Sequence, residues 1–207
     1  AVLDDASLYC WGYNYEGSLG DGTTTNSNTP VPVSLPSGRT ATSVDARIYR
    51  TCAVLDNSSL YCWGESINTP AAVSLPSGRN ASSVSVGGSH TCAVLDDASL
   101  YCWGTNSEGQ LGDGTTSNSN TPVAVSLPNG RTAASVSTGL RHTCAVLDDA
   151  SLYCWGYNGY GQLGDGSNTG KTTPVPVSLP SGRTASSISA GDYNTCVVLD
   201  NSSLLCW

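Results

Sequence analysis

The chain has 207 residues, enough for one substantial domain or a short array of repeats. Its formal net charge is −8 at neutral pH and its eight Lys and Arg residues form no run, which argues against a nucleic-acid partner. It contains 23 Gly, 5 Trp and 10 Tyr but neither Phe nor Met, a selectivity that indicates one small unit copied several times.

Four strands are predicted in the first complete set of elements. TPVPVSL (29–35) alternates apolar and polar residues and is predicted as a strand, and its prolines favour a sheet edge. LPSGRT (35–40) predicts a turn and ATSVDA (41–46) a second strand. TCAVL (51–55) and LYCW (60–63) predict the third and fourth strands, joined by the turn DNSS. Because no run has helical period, the sequence predicts an all-β chain.

The same elements return along the chain as tandem repeats. The predicted units are 1–51, 52–91, 92–143 and 144–195, followed by a partial unit at 196–207. The second unit lacks the loop that its siblings carry, such as NSEGQLGDGTTS in the third, and surface loops on a rigid scaffold tolerate such losses. Four short strands per repeat with Gly-rich turns predict one blade of a β-propeller.

The string GLRHTCAVLDDASLYCWG (139–156), with its continuation to Gly166, resembles the repeat of the regulator-of-chromosome-condensation propeller family. The family's Trp-Gly, Gly-Gln-Leu-Gly and following proline recur at the right offsets, and the resemblance covers the whole chain. It departs at Asp45-Ala46-Arg47, which replaces a glycine-bearing turn. The resemblance implies blades of four antiparallel strands. Since family propellers usually close with seven blades, about four repeats plus an extra hairpin predict a partial propeller.

Eight of the nine cysteines form pairs separated by nine residues. In an antiparallel hairpin whose tip lies near residue 57, the two cysteines of a pair stand directly opposite each other. The sequence therefore predicts cross-strand disulfides, with buried free thiols and a metal site as alternatives. The predicted pairs are Cys52/Cys62, Cys92/Cys102, Cys144/Cys154 and Cys196/Cys206. Disulfides at this density indicate an oxidising compartment, so the protein is predicted to be secreted or on a cell surface.

Cys10 is the unpaired ninth cysteine. By comparison with its siblings, its partner is expected to be the residue immediately before Ala1. The chain is accordingly expected to be a segment of a longer repeating protein. No apolar stretch approaches the length of a membrane span, so no membrane insertion is expected.

The order of strands assigns the turns to two rims. The arginine rim is formed by the LPSGRT-type turns and the acidic hairpin turns, and the repeats scarcely differ there. Its arginines are Arg39, Arg79, Arg131 and Arg183. Local charge pairing at a solvated edge is the favoured interpretation of this rim, and docking within an assembly is the alternative.

The loop rim is formed by the turns before the Thr-Cys strands and by the long loops after Trp-Gly, and here the repeats diverge. Aromatic and Arg side chains are good interface anchors. If the protein has a specific binding site, these residues are the candidates: Tyr15, Ile48, Tyr49, Arg50, Arg141, His142, Tyr157, Tyr160 and Tyr193. Drift of unselected loops is the alternative. His90 and His142 match the family's repeat histidine and are expected to hydrogen-bond within a blade. The five tryptophans follow the repeat and are expected to serve blade packing.

Asn57, Asn80 and Asn201 begin N-glycosylation sequons in or beside predicted turns. A residue that accepts left-handed turn geometry is the alternative explanation for Asn57 and Asn201. The oxygen-rich run GDGTTTNSN (20–28) resembles calcium loops but lacks the carboxylate pattern of an EF-hand. No cofactor or metal is therefore predicted, with calcium as the alternative.

The sequence shows no triad order, paired acid/base carboxylates, P-loop or HExxH pattern, and no enzyme is predicted. The first hypothesis is an extracellular structural or adhesive propeller array that self-associates, for instance as a fibre, or binds another extracellular protein. The alternative is a module that clamps or inhibits a single protein partner through the loop rim, as the resemblance implies.

Overall fold

The computed structural model describes residues 1–207 as seventeen β-strands without a helix. It forms two compact units, Ala1–Val86 and Gly87–Trp207. None of its elements is a helix of the length and apolarity that crossing a membrane requires. The all-β prediction is confirmed.

The first unit contains seven strands. They are β1 (Tyr9–Gly12), β2 (Ser27–Pro32), β3 (Ala41–Arg47), β4 (Arg50–Leu55), β5 (Leu60–Gly64), β6 (Ile67–Ala72) and β7 (Ala81–Val86). Strands β3, β4, β5 and β6 form a four-stranded antiparallel sheet in chain order, β1 pairs with β2, and β7 lies beside β3 and β4.

The second unit contains ten strands. They are β8 (His90–Leu95), β9 (Leu100–Gly104), β10 (Ser119–Ala124), β11 (Ala133–Thr138), β12 (His142–Leu147), β13 (Leu152–Gly156), β14 (Lys171–Pro176), β15 (Ala185–Ala190), β16 (Thr195–Leu199) and β17 (Leu204–Cys206). Within this unit β8 to β10, β11 to β14 and β15 to β17 pair antiparallel in chain order. Strand β11 lies beside β8, and β15 beside β11 and β12, so successive sheets are neighbours as propeller blades are.

Burial follows the order of strands in each sheet. Every residue of β12 is buried, whereas β14 is partly exposed. Prolines lack the N–H that a central strand needs, and Pro174 and Pro176 lie in this outer strand. The predicted strand 29–35 is shorter in the structure and ends at Pro32. Its bonds to β1 also shift register between Cys10 and Gly12.

The Trp-Gly and Gly-Gln-Leu-Gly motifs fasten neighbouring blades together. Leu111, from the long loop after β9, is fully buried beside Trp155 of the next blade. Trp155 Nε1 donates to the carbonyl oxygen of Gln110 at 2.9 Å. A Cβ on Gly112 would lie 2.6 Å from Trp155 Nε1, which explains why glycine follows the leucine. Equivalent bonds run from Trp63 to Ser18 O and from Trp207 to Gln162 O.

Each long loop is closed around one buried asparagine. In the fourth repeat, Asn158 Nδ2 donates to Asp165 Oδ1 at 3.2 Å and to the carbonyl oxygens of Ser167 and Thr169. Its Oδ1 accepts from Leu163 N at 2.9 Å. Asn14 and Asn106 make equivalent bonds in their own loops.

The buried asparagine gives the oxygen-rich run 20–28 a role in closing its own loop. In that loop Asn14 Nδ2 donates to oxygens of Asp21, Thr23 and Thr25. No group of three or more His, Cys, Asp or Glu side chains in the structure is arranged to hold a metal ion.

The four predicted disulfides are confirmed. They join Cys52 to Cys62, Cys92 to Cys102, Cys144 to Cys154 and Cys196 to Cys206. The two cysteines of each pair are direct partners across the hairpin, with Cα atoms 4.1 Å apart. Cys10 is not bonded to any other cysteine of residues 1–207, and its partial burial raises the pKa of its thiol.

Candidate binding surface

Three tyrosines from two successive blades meet on the loop rim of the second unit. The ring centroids of Tyr157 and Tyr160 are 6.0 Å apart, with planes at 71° to each other. Those of Tyr160 and Tyr193 are 5.4 Å apart at 78°. The Tyr160 side chain is 68% exposed and that of Tyr193 is 47% exposed. These residues are named the second tyrosine cluster.

The loop beneath this cluster holds its rings in place. Gln162 is fully buried, and its Oε1 accepts from Tyr160 N at 3.0 Å. Tyr157 lies across Gly159, where an added Cβ would be 2.1 Å from the tyrosine hydroxyl. The side chain of Gln162 and the close approach of Tyr157 to Gly159 therefore hold the cluster in one arrangement.

At the matching place one repeat earlier, an ion pair replaces the aromatic contact. Arg141 Nη1 lies 3.6 Å from Glu108 Oε1, joining the turn before β12 to the preceding long loop. Arg141 is also next to the cluster, because its carbonyl oxygen accepts from Tyr157 N at 2.9 Å. In these two repeats the loop and the turn are thus matched to each other, base with acid in the third and aromatic with aromatic in the fourth.

The first unit carries its own cluster, which consists of Tyr13, Tyr15 and Tyr49 and is named the first tyrosine cluster. Tyr13 lies 6.4 Å from Tyr15 and 6.1 Å from Tyr49 between ring centroids. Desolvation and the nearby Tyr49, Glu16 and Tyr15 raise the pKa of Tyr13, so its hydroxyl is neutral at physiological pH. All three tyrosine side chains are about half exposed or more.

Tyr15 and Tyr49 are among the residues predicted from the sequence, but Tyr13, the residue that joins them, is not. The signal was present, because Tyr13 stands at the repeat position of Tyr157 and Tyr49 at that of Tyr193. Arg50, also selected, is ion-paired with Glu65 on the same rim.

Ile48 has a backbone conformation that its side chain disfavours. Arg47 pairs with Arg50 across β3 and β4, which leaves Ile48 and Tyr49 as a two-residue turn. Ile48 has φ = 51°, in the left-handed region that is strained for a β-branched residue. Its side chain is nevertheless 51% exposed, so burial does not offset the strain. Such outliers concentrate at functional sites.

His142 was selected for the binding rim, but the structure places it in the interior, fully buried. Its Nε2 lies 2.9 Å from Thr195 Oγ1, and His90 Nε2 lies 2.8 Å from Thr143 Oγ1. The hydroxyl of Thr143 donates its single proton to Gln110 O, so it accepts from His90 Nε2–H. The expectation of bonds within a blade was wrong, because each histidine bonds to the following blade.

The arginine rim consists of local ion pairs, as the favoured interpretation predicted. Arg39 Nη1 lies 3.2 Å from Asp56 Oδ2, and Arg183 Nη1 lies 3.2 Å from Asp200 Oδ2. Arg131 contacts both Asp148 and Asp149. These exposed pairs stabilise the fold by less than about 1 kcal/mol each.

The three sequon asparagines are exposed. Asn57 Oδ1 accepts from Ser59 N at 3.2 Å and from Ser59 Oγ at 2.6 Å. Asn201 makes the same contacts with Ser203, and Asp149 makes them with Ser151 in a sibling turn. The hydrogen bonds of the turn thus explain why Asn or Asp stands at positions 57 and 201. Glycosylation of the three sequons stays a prediction.

The sequence pattern of the regulator of chromosome condensation (RCC1) repeat matches residues 5–54, 97–146 and 149–198. This chain belongs to the RCC1 repeat family. A second pattern of the same repeat matches residues 81–110 and 133–162. The resemblance drawn from the Trp-Gly and Gly-Gln-Leu-Gly motifs is therefore confirmed.

Among RCC1-type relatives, the ultraviolet-B receptor UVR8 of Arabidopsis thaliana is 30% identical over the whole of this chain. The chain spans 38% of that receptor's length. Prp20p of Saccharomyces cerevisiae, studied for its binding to Gsp1p and histones, has a TM-score of 0.87 at 22% identity, with 100% of this chain and 54% of that one covered.

A third similar structure is the ectodomain of the receptor kinase CR4 of Physcomitrella patens, with a TM-score of 0.66 at 20% identity. It covers 99% of this chain and 47% of that one. At this identity the two solved structures establish the RCC1 propeller fold alone.

Proposed function

We propose that this chain is a non-catalytic RCC1-type module, secreted or on a cell surface, that binds a protein partner through the tyrosine clusters of its loop rim. The recurrence of the clusters carries the proposal. Tyr13 and Tyr49 stand at the repeat positions of Tyr157 and Tyr193, and in both repeats these positions belong to a group of three rings. The ring contacts differ, because Tyr13 joins the first cluster and Tyr160 joins the second. Loop drift gives no reason for a group of three rings to arise twice at the same place.

The side chains at the clusters have the character of interface anchors. Tyrosine supplies a large, rigid contact area at low cost in side-chain entropy, and it is enriched among the residues that dominate binding energy. Exposed aromatic side chains brought together in a patch are uncommon on a surface without a partner. The arginine rim, in contrast, uses its charges in internal ion pairs.

Two observations support an oxidising compartment. The eight paired cysteines lie in four disulfides, and disulfides at this density are rare in reducing compartments. The ectodomain of CR4, a part of a receptor kinase, has a similar fold. Peptide mapping of the natural protein without reduction is expected to recover the four disulfide-linked hairpins, and free thiols at these positions would contradict the assignment.

The binding role is tested with two matched surface variants. The first replaces Tyr15, Tyr49, Tyr160 and Tyr193 by alanine, and the second replaces Arg39, Arg131 and Arg183 by glutamine. Native and variant chains are immobilised and exposed to the secreted and surface proteins of the source organism. Each retained protein is then purified and its binding measured pairwise.

A purified protein that binds the native chain and the arginine variant, but not the tyrosine variant, is the expected result. If every retained protein binds the tyrosine variant as well as the native chain, the proposal is wrong. Circular dichroism and thermal unfolding of both variants confirm that they are folded.

A structural role in an extracellular array is the second candidate, and the similarity of the repeats favours it. The arginine rim repeats the same ion pair in three blades, which suits a scaffold whose units are interchangeable. Sedimentation and negative-stain microscopy over a range of concentrations test this role. Fibres or end-to-end particles support it, and a monomer at all concentrations rules it out.

A further inference from the structure

We propose that the second tyrosine cluster binds a cationic side chain, an arginine or a lysine, carried by the protein partner. This inference rests on the proposed function and specifies the chemistry of one of its contacts. The first observation is the arrangement of the rings. Tyr160 stands nearly perpendicular to both of its neighbours, so the cluster has walls that face in different directions rather than one flat surface.

Perpendicular aromatic walls suit a cation better than they suit a flat ligand. The face of a tyrosine ring carries partial negative charge and attracts an ammonium or guanidinium group within about 6 Å of its centre. A sugar ring stacks on a broad flat face, which three tilted rings do not offer. The cluster is also held by Gln162 beneath Tyr160 and by the close approach of Tyr157 to Gly159, so little ordering is needed on binding.

The charge of the molecule is the second observation. The chain carries 16 Asp and Glu against 8 Lys and Arg. Six of the basic residues are ion-paired with carboxylates, namely Arg39, Arg50, Arg131, Arg141, Lys171 and Arg183. The remaining excess of carboxylates produces a negative field that attracts cations and speeds their encounter.

The charged residues near the second tyrosine cluster also favour a cationic ligand. Arg141, at the Tyr157 end, is ion-paired with Glu108, and Lys171 lies 3.9 Å from Asp165. At the other end the exposed Asp192 directly precedes Tyr193. The Tyr160–Tyr193 pair is therefore the place where the cation binds.

The first tyrosine cluster differs in its charges. Its Tyr49 is flanked in sequence by Arg50 and, two positions earlier, by Arg47. The second cluster instead has the acidic Asp192 before Tyr193, and Glu65 is already paired with Arg50, so the first cluster is assigned no cationic ligand. It serves as the control within the same chain.

Two synthetic peptides test the assignment. One is an acetylated and amidated dodecapeptide of Gly and Ser with four arginines, and the other has citrulline, a neutral isostere, at those four positions. Binding to the whole chain is measured by calorimetry at low ionic strength and by NMR of the tyrosine ring protons. The arginine peptide is expected to bind at least tenfold more tightly than the citrulline peptide, and added salt is expected to weaken it.

Substitutions place the binding on the second cluster. Tyr193→Ala is expected to weaken the arginine peptide about tenfold, while Tyr193→Phe keeps the ring and most of the affinity. Tyr160→Ala repeats the test at a second exposed position, and Tyr15→Ala in the first cluster is expected to change nothing. The assignment is overturned if the two peptides bind equally or if neither binds at millimolar concentration. It is also overturned if a neutral glucose oligosaccharide or a proline-rich peptide binds more tightly than the arginine peptide.

The outcome is separable from that of the proposed function. If the natural partner is lost in the tyrosine variant but neither peptide binds, the module binds protein through another chemistry and only the cation assignment fails. If the arginine peptide binds and no natural protein distinguishes the variants, the assignment stands and the proposed function fails.

Discussion

Trp155 Nε1 donates to the carbonyl oxygen of Gln110 at 2.9 Å, across 45 residues of chain and from one blade to the next. The same oxygen accepts from Thr143 Oγ1 at 2.9 Å. The three residues are buried. The carbonyl oxygen of Gln110 therefore accepts hydrogen bonds from two strands of the following blade, β12 and β13. Through this contact the long loop becomes part of the buried interface between the two blades.

Removing the indole donor tests this fastening. Trp155→Phe keeps an aromatic ring but leaves Gln110 O with one donor fewer and a gap beside Leu111. We expect the free energy of unfolding to fall by about 2–4 kcal/mol, since both a buried hydrogen bond and packing volume are lost. Urea unfolding followed by circular dichroism measures the change.

The expectation that all five tryptophans pack within the blades does not hold for Trp11, which is 52% exposed, so Trp11 provides the matched control. Trp11→Phe is expected to change the free energy of unfolding by less than about 0.5 kcal/mol. If Trp155→Phe and Trp11→Phe lower the free energy of unfolding by similar amounts, the hydrogen bond between Trp155 and Gln110 does not contribute the stability assigned to it.

The disulfide of the β12–β13 hairpin gives a second prediction. Replacing both Cys144 and Cys154 by alanine enlarges the conformational freedom of the unfolded chain and leaves space in a fully buried position. We expect a loss of about 2–4 kcal/mol in the free energy of unfolding, measured by urea denaturation without reductant. Cys10→Ala in the chain 1–207, where Cys10 is the one cysteine outside the four pairs, is the control and is expected to have a smaller effect.

Asp165 gives a pH-dependent prediction. Its burial raises the pKa, but hydrogen bonds from Ser167 and Asn158 and the charge of Lys171 outweigh that effect, so the pKa lies below its ordinary value. A carboxyl with a lowered folded pKa stabilises the fold above its unfolded pKa of about 3.9, and this stabilisation is lost as the pH falls through the folded value.

We therefore expect Asp165→Asn to be less stable than the native chain at pH 7, with the difference shrinking as the pH falls below about 4. Urea unfolding at a series of pH values measures the difference. Ser167→Ala, which removes one of the donors, is expected to shift the curve in the same direction by less. A difference that stays constant with pH would contradict the role given to the carboxylate.

The architecture could be predicted because each blade depends on short local sequence patterns, and these patterns recur in successive repeats. The facing cysteines at 144 and 154 identify the hairpin register, and Pro174 and Pro176 mark the outer strand. The hydrogen-bond partner of His142 could not be predicted in the same way. That partner, Thr195, lies 53 residues away in the sequence, and no short sequence pattern indicates which blade a buried imidazole contacts.

The tyrosine clusters were predictable only in part, for a related reason. Variable aromatic residues on two kinds of turn could be selected from the sequence, but their meeting depends on which loop follows which turn in space. Tyr13 is absent from the candidates, although Tyr157 at the same repeat position is among them. Comparing it with Tyr157 at the same repeat position is the signal that identifies it.

Ile48 gives the last prediction, in which stability and binding change in opposite directions. Glycine tolerates φ = 51° without strain, so Ile48→Gly is expected to raise the free energy of unfolding by about 1 kcal/mol. The same substitution removes an exposed apolar side chain beside Tyr49 and is expected to weaken binding of the protein partner. Ala150→Gly, in a hairpin turn of the arginine rim with φ = 61°, is the matched control. It relieves a similar strain and is expected to stabilise the fold with no change in binding. If Ile48→Gly destabilises the chain, or stabilises it and leaves partner binding intact, then the strained turn does not serve the binding surface.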